Sequence, residues 1–163
     1  LNSSLEQKDY ENKAIEYLKK YPCCDKKNCT HPPLQSDNNL WKHKDFSAET
    51  IRDWHVKGNG WDDIGYHYVV RLDGSLEYGR PVQVPGAHCR GENKSSIGIC
   101  YIGGMDEKMK EWEDTRTQEQ KDSLVDLLKV LKKFHPEAKI YGHRDFSTKA
   151  CPSYDAKTEY KDL

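Results

Sequence analysis

Nothing in these 163 residues approaches a run of 18 apolar side chains, so no segment is fit to cross a bilayer as a helix. Charge of one sign is equally lacking. Lysine plus arginine number 26 against 27 acidic residues, a formal net charge of −1, which excludes the broad basic field of a nucleic-acid binder. No basic stretch followed by an apolar one opens at Leu1, so no signal peptide is visible and secretion stays open. Repeats and low-complexity linkers are missing too, and the length suits one domain whose core needs no disulfide staples. What is present is a 35% hydrophobic, 33% charged composition, six cysteines and seven histidines.

The local signals alternate between helix and strand. Ser3 and Ser4 can cap a helix to about Lys20, with Ala14, Ile15, Leu18 and Tyr21 on one face. A long loop without period follows to Asp45. Ser47 opens a second helix, in which Ile51, Trp54 and His55 recur at helical spacing and which Gly58 and Gly60 end. Tyr66 to Arg71 reads as a strand, Asp73-Gly74 as a turn, and Ser75 to Tyr78 as the returning strand. Ser96 to Gly104 is apolar on both faces, which predicts a central strand. Thr117 and Gln120 form a capping box for a helix to Phe134, with Leu124, Leu127, Leu128, Leu131 and Phe134 as its buried stripe. Lys139 to Gly142 reads as a short strand. The expected fold is α/β or α+β: a single domain with a central mixed sheet flanked by helices.

The segment Tyr141 to Asp155 holds the chemistry. It places His143, Lys149 and Cys151 in one short irregular stretch, and imidazole and thiolate are the ligands that zinc prefers. An ammonium beside such an ion can stabilise a developing oxyanion. Among the other cysteines, Cys100 reads as a buried free thiol in its strand. Cys23-Cys24 with Cys29 and His31 reads as a local disulfide or plain thiols in preference to a second metal knuckle, because adjacent cysteines aim poorly at one ion. His55 reads as a surface or packing residue, His67 as buried and hydrogen-bonded on the face opposite Tyr66, and His135 as a partner of a helix C-terminus.

Several segments together resemble the zinc amidases of the N-acetylmuramoyl-L-alanine type, which include amidase-type phage lysozymes and peptidoglycan recognition proteins. The resemblance is carried by Ile51-Arg52-Asp53-Trp54-His55, by Gly60-Trp61 through Gly65-Tyr66-His67-Tyr68, and by Asp73-Gly74 and Gly79-Arg80. It continues in Gly86-Ala87-His88, Asn93 with Ser96-Ile97-Gly98-Ile99, Gly142-His143, and Lys149-Ala150-Cys151-Pro152-Ser153-Tyr154-Asp155. These pieces keep the family's order over residues 46–155, leaving 1–45 as an atypical N-terminal helix and loop.

The resemblance implies that His143 and Cys151 are two of three zinc ligands and that Tyr66 and Lys149 are the catalytic pair. It also implies that His88 and Asn93 border the substrate groove. The substrate would be bacterial peptidoglycan, cut at the amide joining N-acetylmuramic acid to L-alanine by a monomer with no nucleic-acid or membrane partner, acting at the cell wall. One departure stands out. Counting back to the family's remaining histidine lands near Ser36, with no apolar strand before it. His31 would fill the role if the loop carries an insertion of about five residues, which surface loops tolerate; His43 lies close to the helix start and is the poorer choice. The alternative is a peptidoglycan-binding or partner-inhibiting protein of the same fold without catalysis.

Overall fold

The computed structural model describes residues 45–106 and 110–163. The helix expected at the start of the chain, the Cys23, Cys24 and Cys29 cluster, and the candidate ligands His31 and His43 lie outside the described residues.

The first described helix, α1, spans Ala48–Asp53, and Ser47 caps it as its sequence predicts, accepting the Thr50 N–H at 3.1 Å. Ala48 and Ile51 face inward. The helix then widens into a π turn over Trp54–Gly58. Such a turn rotates the side chains that follow it, and here the residue buried is His55, 1% exposed. Of the two alternatives for His55, packing holds.

Three short strands form the sheet: β1 (Tyr68–Val70), β2 (Leu76–Tyr78) and β3 (Ile99–Tyr101), in the order β2-β1-β3. The β1–β2 hairpin is antiparallel with Tyr68 opposite Tyr78, and Asp73-Gly74 makes the turn, with Gly74 at φ +83°. The β1–β3 pair is parallel with Val69 opposite Cys100, which the long connection through residues 79–98 permits. Among the described residues β1 is the central strand and β3 pairs on one side only, where the sequence predicted β3 as central. Lys139 to Gly142 pairs with no described strand, and the Gly142 N–H donates to the Asp145 carboxylate at 2.8 Å, tying that end to the following turn.

Helix α2 (Gln118–Phe134) begins at the Thr117 capping box and buries Leu124, Leu127, Leu128 and Leu131, each contributing on the order of 1.5–3 kcal/mol. Gln120, fully buried, closes the capping box through its Oε1 while its Nε2 donates to Ile102 O at 2.9 Å and Val70 O at 3.3 Å. One side chain thus satisfies the carbonyls where β1 and β3 end. A last short helix, α3, covers Ala156–Glu159.

The sheet separates two apolar layers. Tyr68, Val70, Ile99 and Tyr101 pack on α2 and on Tyr154, Ala156 and Tyr160. Val69, Tyr66, Ile64, Cys89 and Ile102 pack on α1, with Cys100 at their edge. The result is a single mixed α+β domain with a small central sheet flanked by helices, and no described helix is long and apolar enough to cross a membrane.

Candidate active site

The segment after α2 is folded by its own backbone. Residues His143–Asp145 form a single 3-10 turn, closed by the Phe146 N–H on His143 O at 2.9 Å. Arg144 N–H donates to Cys151 O at 2.7 Å, which cinches the loop and lays the backbone next to His143 against that of Cys151. Gly142 completes the neck: a Cβ there would stand 2.5 Å from Pro152 Cδ, so only glycine allows this approach. His143 and Cys151 are both buried, at 4% and 2% exposure, and Lys149 is half-buried in the same loop.

Two bonds moor this loop to the end of β3. Tyr101 Oη donates to Pro152 O at 2.6 Å, and Ser153 Oγ donates to Gly104 O at 2.7 Å. Beyond it, the Arg116 guanidinium, itself buried, forms ion pairs with Asp114 and Glu159, donates to Tyr160 Oη, and stacks 3.3 Å above the Tyr154 ring. Cys151 therefore stands beside the C-terminal end of β3. The Cys100 thiol of β3 is pushed up to about 12, chiefly by burial and then by electrostatic repulsion from Cys151.

Tyr66 reaches the same place by a bend. The N–H groups of His67 and Tyr68 both donate to Gly98 O, at 2.9 and 3.2 Å, so two residues of this strand oppose one of its partner. Alternation is broken there: Tyr68 lies in the α2 layer, whereas Tyr66 lies with Val69 and Cys100 in the α1 layer. On the other side Gly79 presses on Tyr66 O, leaving no room for a Cβ at 2.2 Å. His143, Lys149 and Cys151 thus come from one loop, while Tyr66 belongs to the α1 layer against which Cys100 packs. The strand position of Cys100 was visible in the sequence, but which face it takes depends on the β1–β3 register.

His67 is buried and hydrogen-bonded, as expected. Its Nδ1 accepts the Gly98 N–H at 3.0 Å, which leaves the proton on Nε2 to be donated to Val84 O at 2.9 Å. Burial holds it neutral by lowering its pKa. His55 works similarly: its Nδ1 accepts the Gly65 N–H at 2.9 Å, and its ring lies against Trp61 and Tyr66 at centroid distances of 4.7 and 5.7 Å. Burial, aided by the Arg80 charge, pushes its pKa down to about 4. His88 and Asn93 occupy a loop of their own. Asn93 Oδ1 accepts the N–H groups of His88 and Cys89, at 2.9 and 2.8 Å. The His88 ring is buried over Gly98, edge-on to His67 at 5.8 Å.

As a donor set, one imidazole and one thiol from a cinched, buried loop fit a borderline-soft cation such as zinc. Among the described residues no group of three His, Cys, Asp or Glu side chains is arranged to hold a metal, so Cys100 does not complete the set.

A family model for N-acetylmuramoyl-L-alanine amidase matches residues 12–154. The chain is 41% identical over 111 residues to the endolysin of Enterobacteria phage K11, covering 68% of this chain and 72% of that one. It is 42% identical over 114 residues to the endolysin of Escherichia phage T7, covering 70% and 74%. The solved structure of the endolysin amidase LysCS from Clostridium intestinale superposes with a TM-score of 0.63 at 25% identity, covering 91% of this chain and 82% of that chain. The family model spans the residues of both the cinched loop and the bent strand, and with these relatives it shows that this chain belongs to the N-acetylmuramoyl-L-alanine amidase family.

Proposed function

We propose that this amidase works with a zinc ion held by His143, Cys151 and His31, and that Lys149 and Tyr66 carry the polar work of the reaction. Family membership makes the chain a hydrolase of the peptidoglycan amide between N-acetylmuramic acid and L-alanine. The observation that supports the residue assignment is the cinched loop itself, which buries His143 and Cys151 together and is moored to the end of β3 through Tyr101 and Gly104. When bound, zinc supplies Lewis acidity that makes water nucleophilic near neutral pH. Lys149 brings a positive charge to the carbonyl oxygen as negative charge develops on it, inside a partly water-excluded site. The Tyr66 hydroxyl is a donor for the same oxygen or for the leaving amine. His88 and Asn93 shape the groove through their shared loop. The chain acts as a monomer at the cell wall, with no membrane or nucleic-acid partner, the last supported by its lack of a net positive charge.

A strong chelator is expected to abolish release of L-alanine-bearing peptides from purified peptidoglycan, with zinc restoring it. Activity indifferent to chelation refutes the zinc mechanism. His31→Ala should carry well under one equivalent of zinc by metal analysis, while His43→Ala should remain loaded; the reverse result transfers the third-ligand role to His43.

A further inference from the structure

We infer that His55 is a positioning residue, its imidazole holding Tyr66 in place by accepting the N–H of Gly65; this rests on the catalytic role given to Tyr66 above. His55 meets the segment that leads into Tyr66 at three points. Its backbone carbonyl accepts the Trp61 N–H at 3.2 Å, its Nδ1 accepts the buried Gly65 N–H at 2.9 Å, and its ring lies against the Tyr66 ring at a centroid distance of 5.7 Å. The carbonyls of the same stretch are engaged elsewhere. Arg80 donates from its side chain to Asp63 O and Ile64 O and from its backbone to Tyr66 O, while the Ala87 N–H donates to Gly65 O at 3.0 Å. His55 therefore supplies the anchor that α1 and its π turn give to this backbone.

The residue before Tyr66 is the reason an anchor is needed. Gly65 must be glycine, since a Cβ there would stand 2.4 Å from Ala87 O, yet glycine is the residue whose backbone turns most easily. Any rotation at Gly65 swings the Tyr66 side chain. The imidazole acceptor removes that freedom at the N–H, and the ring contact limits where the phenol ring can lie. A neutral nitrogen suits the place better than a carboxylate, because it accepts without carrying a charge into a site that is 1% exposed. Deleting the acceptor orphans a buried N–H, and the backbone shifts to find it a partner. A donor displaced in this way costs transition-state stabilisation, which lowers kcat, while substrate binding through other contacts leaves KM in place.

The test compares His55→Ala, His55→Phe and His55→Asn in the zinc-loaded enzyme, alone and combined with Tyr66→Phe, on a soluble muropeptide at pH 7.5. His55→Ala is expected to lower kcat about three- to tenfold, the scale of one ordinary hydrogen bond, with KM and zinc content unchanged. His55→Phe keeps a ring but no acceptor, so it should lose as much, and it serves if the alanine variant folds poorly. His55→Asn, whose amide oxygen stands near the Nδ1 position, should recover most of the loss. In the Tyr66→Phe background the His55 substitutions should have no further effect on kcat. A full kcat in a folded variant lacking the acceptor overturns the inference, as does an asparagine variant no better than these. So does a loss that persists undiminished in the Tyr66→Phe background or that tracks a fall in zinc content. If Tyr66→Phe itself keeps full kcat, the catalytic role of Tyr66 fails first, and the inference falls with it.

Discussion

Acidification from pH 7 to 4 should cost this fold about 3 kcal/mol through His55 alone. The imidazole is 1% exposed and its Nδ1 already accepts the Gly65 N–H at 2.9 Å, so protonation would both charge a buried ring and turn an acceptor into a second donor facing Gly65. Arg80 adds repulsion, and it cannot swing away, because its guanidinium is gripped by the carbonyls of Ile64, Asp63 and Pro85. The nearby Asp63 carboxylate offers no relief, since it is engaged by Arg52. With the folded pKa near 4 and the ordinary value at 6.5, the unfolded chain takes up a proton below 6.5 that the native ring refuses. Stability then falls by about 1.4 kcal/mol per pH unit and levels off near pH 4, where the native ring protonates as well. His67, lowered in the same direction, adds to this in any variant that keeps it. His55→Asn preserves an acceptor near the Nδ1 position and removes the titration. Urea unfolding of both zinc-loaded proteins at pH 7.5, 6, 5 and 4 separates the contribution. The wild type should lose about 3 kcal/mol more than His55→Asn across that range, and parallel curves would refute the reasoning.

Two further substitutions probe what holds the loop. Arg116→Leu leaves Asp114 and Glu159, both about a third or more exposed, without their buried partner and removes the ring-stacking cation over Tyr154, so a loss of about 1–3 kcal/mol is expected in thermal or urea unfolding. Arg116→Lys should recover only part, because an ammonium can neither fork onto a carboxylate nor stack as a plane. Tyr101→Phe deletes the 2.6 Å bond to Pro152 O and should cost about 1–2 kcal/mol while weakening zinc retention in a competitive chelator titration. Unchanged stability together with unchanged zinc affinity would show that the bond does not moor Cys151.

Legibility followed the range of the forces involved. The Thr117 capping box, the α2 stripe ending at Phe134, the Ser47 cap and the Asp73-Gly74 turn were all readable, because each is decided by residues within one or two turns of the chain. The sequence alone also placed His143, Lys149 and Cys151 in one segment and kept His67 inward. Other features needed partners from far along the chain. Strand alternation set Tyr66 on the same face as Tyr68, but two N–H groups sharing Gly98 O moved it to the other layer. Among the described residues the strand expected at Lys139 to Gly142 finds no partner, and its last N–H turns to Asp145. The inward place of His55 followed from its helical spacing with Ile51, but the Gly65 N–H and the Trp61 and Tyr66 rings that receive it come from beyond the helix. The composition, the caps and the chemistry of the His143 to Cys151 loop were thus determined by the sequence itself. Which side chains share a layer, and above all that Tyr66 and Cys100 lie together on the α1 side of the sheet, was decided only by the bend at Gly98 and the parallel register of β1 and β3, since a strand's faces are assigned by its neighbours and not by its own residues.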